Sequence, residues 1–184
     1  MTTPSQTVGP YLSIGLPWPD GSEVVPEGTA GRIRIYGRLL DGAGEVIPDG
    51  MIETWQADPD GKFGTDFRGI GRAPTDEEGA WEVFTVKPGA YPWRNHPNAW
   101  RPAHIHFSLF GRAFTQRLVT QMYFPDDPLF FQDPIYNSVR DERAARRMIS
   151  AYDHDATEDH WALAFRWDIV LRGEEATPTE EPHA

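Results

Sequence analysis

With 184 residues, a formal charge of −11 and 12% aromatic residues, the chain has the length of one domain able to bury roughly 70% of its unfolded surface. The acidic excess argues against a general nucleic-acid or anionic-membrane surface, although a few local Arg residues can still build a basic pocket. Cys is absent, which excludes disulfides and thiolate metal sites. The N-terminus, Met1-Thr-Thr-Pro-Ser-Gln-Thr-Val8, shows neither the basic nor the apolar region of a secretion signal, and no apolar run approaches the roughly 18 residues of a membrane span. A cytoplasmic chain is expected.

Residues 1–30 are punctuated by Pro4, Gly9, Pro10, Gly15, Pro17, Pro19, Gly21, Pro26 and Gly28, which denies them a regular helix or central strand. The same stretch carries Tyr11, Leu12, Ile14, Leu16 and Trp18, so an extended arm lying on an apolar surface, such as another subunit, is expected. Strand signals follow, separated by turn residues: Arg32–Leu40 up to Asp41-Gly-Ala-Gly44, Met51–Ala57 after Pro48-Asp-Gly50, Trp81–Val86 up to Lys87-Pro-Gly89, then Ala103–Phe110, Gln116–Phe124 and Leu163–Leu171. One helix is predicted over Ser138–Tyr152, where Ser138 and Asp141 resemble a capping box and Val139, Ala145, Met148, Ile149 and Tyr152 form a stripe. Many short strands with one helix outside them predict an all-β antiparallel β-sandwich with long loops, over 31–172. Residues 173–184, acidic and Pro-containing, are expected to be a mobile tail.

The chemistry concentrates between Tyr91 and Phe110. Strand alternation puts Ile105, Phe107 and Leu109 on one face and His104, His106, Ser108 and Phe110 on the other. With the apolar set in the core, two imidazoles stand side by side outside it. A nearby Tyr would add a hard anionic oxygen suited to a ferric ion. A His-x-His pair alone is only modestly specific. Cupin-type metal strands place a Glu five residues after the second His, where this chain has Gly111. Metal hydrolases that begin with His-x-His need a barrel of ~250 residues.

The segments Gly37-Arg-Leu-Leu-Asp41, Glu53-Thr-Trp-Gln-Ala57, Thr85-Val-Lys-Pro-Gly89, Tyr91-Pro-Trp-Arg-Asn95 and Trp100-Arg-Pro-Ala-His-Ile-His106 resemble the intradiol ring-cleavage dioxygenases. The likeness runs roughly from Pro4 to Gly173. It implies a non-haem Fe(III) enzyme that opens a catechol between its hydroxyl-bearing carbons with both atoms of O2. In this family two Tyr and two His hold the iron. The resemblance places Tyr91 on the equatorial tyrosine, His104 and His106 on the histidines, and Arg101 on an arginine thought to stabilise the carbanionic intermediate. The axial tyrosine position is occupied by Phe63, and no Tyr lies between Tyr36 and Tyr91.

That departure, together with Thr3-Pro-Ser-Gln-Thr-Val-Gly-Pro-Tyr11, is similar to the α chain of two-chain members that convert protocatechuate and O2 to 3-carboxy-cis,cis-muconate. There a homologous β chain carries the iron and the α chain lines the pocket. The resemblance implies that Gly9, Pro10, Tyr11 and Arg112 line the partner's pocket. Tyr91, His104 and His106 would be an incomplete or vestigial Fe(III) site, with Arg101 equally vestigial and iron weak or absent in this chain. Known α chains have lost one of the two His and the preceding Tyr, which this chain retains. Two alternatives stand beside this reading: a self-sufficient iron dioxygenase acting on a catechol or hydroxyquinol, and a non-enzymatic transthyretin-like binding module. The first needs a Tyr in place of Phe63; the second gives no reason for Tyr-x-Trp-Arg-Asn and Arg-Pro-x-His-x-His to occur together.

Overall fold

A computed structural model describes residues 15–93, 99–111, 117–159 and 161–179. Of the eleven strands among the described residues, nine form two main sheets packed face to face. In the first, β1 (Arg32–Leu40) pairs antiparallel with β4 (Ala80–Val86) and parallel with β10 (Ala162–Arg166) and β11 (Ile169–Val170), while β9 (Ala151–Glu158) pairs antiparallel with β10. The second is wholly antiparallel, in the order β3 (Ile70–Pro74), β2 (Gly50–Trp55), β7 (His104–Gly111), β8 (Leu118–Tyr123). A small ribbon of β5 (Tyr91–Pro92) and β6 (Trp100–Arg101) stands apart from both. The chain is an all-β sandwich.

The core follows from alternation. Ile33, Ile35 and Leu39 of β1 face Ile105, Phe107 and Leu109 of β7, with Trp81, Val83, Ile52, Met122 and Phe165 filling the layer between. Phe107 joins the two sheets edge to face, its ring 5.4 Å from Trp81 and 4.8 Å from Trp167. Each such side chain contributes about 1.5–3 kcal/mol on burial. Because Phe107 points inward, its neighbours on β7 must point outward.

The helix expected over 138–152 is instead split. Asp133 caps α1 (Pro134–Ser138), Asp141 caps α2 (Glu142–Arg146), Ile149 forms a bridge with Tyr123, and β9 begins at Ala151. Tyr123 supplies the competing partner: its N–H donates to Met148 O at 2.8 Å and its carbonyl accepts from Ser150 N at 2.9 Å. Sheet pairing therefore overrides the helical stripe. Tyr123, Phe130, Tyr136, Ala145 and Met148 form a second, smaller core under these helices. Of the arm, residues 15–30 are described: Leu16 O accepts from the Arg72 guanidinium at 3.0 Å, that guanidinium lies 4.3 Å from the Trp18 ring, and Val24 N donates to Phe84 O at 2.8 Å. Beyond Gly173, where a mobile tail was expected, Thr177 is buried, its N–H donates to Val170 O at 2.8 Å, and Pro178 O accepts from the Thr120 hydroxyl at 2.6 Å. The start of that segment is held on the sandwich. Among the described residues, no helix is long and apolar enough to cross a membrane.

Candidate metal centre

On β7, His104 and His106 share the outer face of the second sheet, with Nε2 atoms 3.2 Å apart. Antiparallel register sets Tyr123 opposite His104 and Gln121 opposite His106 on β8, and Trp55 opposite His106 on β2. The β5–β6 ribbon pairs Tyr91 with Arg101, and the chain then turns through Pro102 and Ala103 into β7. This path brings the Tyr91 hydroxyl to 3.2 Å from His104 Nε2. Two ring nitrogens and one phenol oxygen thus converge.

The loop after β2 supplies the facing wall. The Asp58 carboxylate accepts from Asp60 N at 3.0 Å and Lys62 N at 2.8 Å, and Asp58 O accepts from Gly61 N and Gly89 N. Gly61 is required there: its φ is +76°, and a Cβ would lie 2.2 Å from Ala90 O. The loop is so clasped to the residues just before Tyr91. Phe63 emerges from it with its ring 5.2 Å from Tyr91, edge on, and 5.1 Å from Trp55, which in turn lies 4.9 Å from His106. A benzyl ring therefore stands beside the trio and offers no donor atom.

His104 Nδ1 lies 2.7 Å from Pro102 O. A carbonyl only accepts, so Nδ1 carries the proton and Nε2 presents its lone pair to Tyr91 and His106. Burial, then the charge of Arg101, holds His104 well below the usual histidine range. The same causes bring His106 down to about 4. Burial raises the Tyr91 phenol, with Arg101 pulling it down and Asp133 pushing it up. Burial alone would lower Arg101, but the hydrogen bond and charge of Asp133 outweigh it and raise the guanidinium.

Arg101 itself is almost fully buried. Its Nε donates to Asp133 Oδ2 at 2.6 Å, Nη2 donates to Gln121 Oε1, and the Trp93 ring lies 5.7 Å from the guanidinium carbon. The Tyr123 hydroxyl also donates to Gln121 Oε1, at 3.3 Å. Gln121 and Tyr123 escaped the sequence reading, yet their alternation along β8 was a usable signal for the histidine face. Asp133, in a loop ahead of a proline, carried no such signal. Gly9, Pro10, Tyr11 and Arg112 lie outside the described residues. A surface cleft of ≈ 440 Å³ lined by Arg34, Tyr36, Asp76, Trp81 and Glu82 contains none of the donors.

The donor trio fits a single ion. Ligands held about 2.0–2.1 Å from a metal sit about 3 Å from one another, which is the spacing of His104 Nε2 from both the Tyr91 hydroxyl and His106 Nε2. Neutral imidazoles with a phenol that can ionise suit a transition metal, and the hard oxygen favours the ferric state. No group of three or more His, Cys, Asp or Glu that could hold a metal ion occurs among the described residues, so Tyr91 is needed as the third donor.

A dioxygenase family model matches residues 19–173. The protocatechuate 3,4-dioxygenase β chain of Burkholderia cepacia is 50% identical over 160 residues, covering 81% of this chain and 68% of that one. The α chain of the Pseudomonas putida protocatechuate 3,4-dioxygenase is 31% identical over 194 residues, covering 95% and 94%. Among solved structures, hydroxyquinol 1,2-dioxygenase from Pseudomonas putida DLL-E4 superposes with a TM-score of 0.63 at 24% identity, over 78% of this chain and 57% of its own. At that identity the superposition speaks for the fold, and the sequence matches carry the family. The chain belongs to the intradiol ring-cleavage dioxygenases.

Proposed function

We propose that this chain is the α subunit of an αβ dioxygenase that cleaves protocatechuate with O2 to 3-carboxy-cis,cis-muconate, with the iron of turnover on a homologous β chain. The observation that carries this reading is Phe63. It packs against Tyr91 beside the donor trio and cannot act as a second phenolate. The matches to α chains, which run through nearly the full length of both partners, support the same assignment. In this reading Tyr91, His104 and His106 can still hold a metal weakly, and Arg101 offsets anionic charge beside it. Ferric iron, when bound, supplies Lewis acidity toward a catecholate. Gly9, Pro10, Tyr11 and Arg112 line the partner's pocket, Arg112 by attraction for the substrate carboxylate.

The 50% identity to a β chain, together with the convergent trio, favours a second reading in which this chain binds iron and turns over alone. Purifying the chain by itself and with a β homologue separates the two. The α reading expects little iron, no strong visible phenolate-to-iron band and negligible protocatechuate-dependent O2 uptake until the β chain is added. F63Y, which adds a second phenol, should strengthen iron retention and the band. Stoichiometric iron and robust turnover in the isolated wild-type chain would establish the second reading instead.

A further inference from the structure

The Arg101–Asp133 pair is the most deeply buried ion pair among the described residues, with side-chain exposures of 6% and 0%. A carboxylate removed from water so completely needs every lone pair used. Asp133 divides its work. Oδ1 accepts from Ile135 N at 2.7 Å and Tyr136 N at 3.3 Å, closing the start of α1, while Oδ2 accepts from Arg101 Nε at 2.6 Å. Helix capping alone requires neither full burial nor a cation. Arg101, for its part, is the strand partner of Tyr91, and its charge acts on Tyr91, His104 and His106 alike. Left unpaired in this dry setting, that guanidinium would repel any cation held by the trio and attract any anion entering beside it.

We propose that Asp133 is a positioning residue that masks the charge of Arg101 and so sets the balance between cation and anion affinity at the Tyr91–His104–His106 site. The second oxygen ties that charge balance to the start of α1, so the segment bearing Phe130 and Tyr136 is locked to Arg101. Gln121 fixes the guanidinium on a further side without changing its charge. The proposal rests on the reading of the trio as a cation site, and its test keeps the two apart.

The test uses the full metal-free chain as wild type, D133N, R101Q and R101Q/D133N. Zinc is titrated by calorimetry, and benzoate, a simple aromatic anion, by quenching of tryptophan fluorescence. Masking predicts opposite signs. D133N should bind zinc about tenfold more weakly and benzoate correspondingly more tightly, the scale of one charge uncovered several ångströms away. R101Q should do the reverse, and the double variant should return near wild type in both. A merely structural Asp133 would weaken both ligands together, and that result, or a double variant no better than D133N, overturns the proposal. If D133N does not fold, R101Q alone decides: unchanged zinc and benzoate affinities overturn masking. A wild-type chain that takes up no zinc refutes the trio as a cation site, and the benzoate arm then decides masking by itself, where an unchanged affinity in D133N overturns it.

Discussion

His106 shows how far one burial decision reaches. Inward packing of Ile105 and Phe107 sends His104 and His106 to the same outer face, where the β5–β6 ribbon and the Phe63 loop cover them. Covering costs the charged form, so His106 falls from 6.5 to about 4 and His104 moves the same way. Both folded values lie below the unfolded one, so between pH 6.5 and about 4 the unfolded chain binds more protons than the folded one. Their contribution to stability is therefore complete above pH 6.5 and is lost as the pH falls toward 4. For metal-free protein, urea midpoints measured at pH 7, 5.5 and 4.5 should fall steadily, with His106 contributing of order 2 kcal/mol across the window. H106N should flatten part of that slope; an identical slope in the variant would show that the histidine ionises as freely folded as unfolded.

Strands position these side chains, and one glycine lets the strands meet. Gly37 on β1 faces the break between β10 and β11, where Trp167 N donates to Tyr36 O at 2.8 Å and the Asp168 carboxylate accepts from Arg38 N at 3.0 Å. A Cβ at Gly37 would lie 1.9 Å from Trp167 O, a backbone atom that cannot swing aside. G37A should therefore cost about 3 kcal/mol or more, because β1 must part from β10 or Trp167 must leave its contact with Phe107. Chemical denaturation measures it, and a loss under about 0.5 kcal/mol would mean that the strands separate freely there. The same competition explains the broken helix. The residues of 138–152 carry a helical stripe, but Tyr123 offers Met148 and Ser150 a better use for their backbone groups.

At the scale of the molecule, the αβ proposal rests on Phe63, which stands beside the donor trio and offers no donor atom. In the αβ reading, Y11A and R112A should each slow protocatechuate turnover by the reconstituted complex several-fold while leaving its iron content unchanged. Arg112 should matter more for protocatechuate than for unsubstituted catechol, because only the former carries a carboxylate. Steady-state kinetics with both substrates checks this: equal losses refute the carboxylate role, and unchanged kinetics remove both residues from the pocket.

Alternation and turn chemistry are local, so the sequence by itself determined the all-β class, the inward set Ile105, Phe107 and Leu109, and the shared face of His104 and His106. The motif around them also carries the likeness to the intradiol ring-cleavage dioxygenases, the family to which the chain belongs. Long-range pairing is not local. Only the tertiary structure decided that β1 runs parallel to β10 and β11, that Ile70–Pro74 and Ala151–Glu158 are strands, and that 138–152 is no single helix. It also brought Asp133 against Arg101 across 32 positions of chain. An ion pair of that kind leaves no periodic trace, because one partner comes from the short strand β6 and the other from a distant loop, and they meet only when the core beneath them closes.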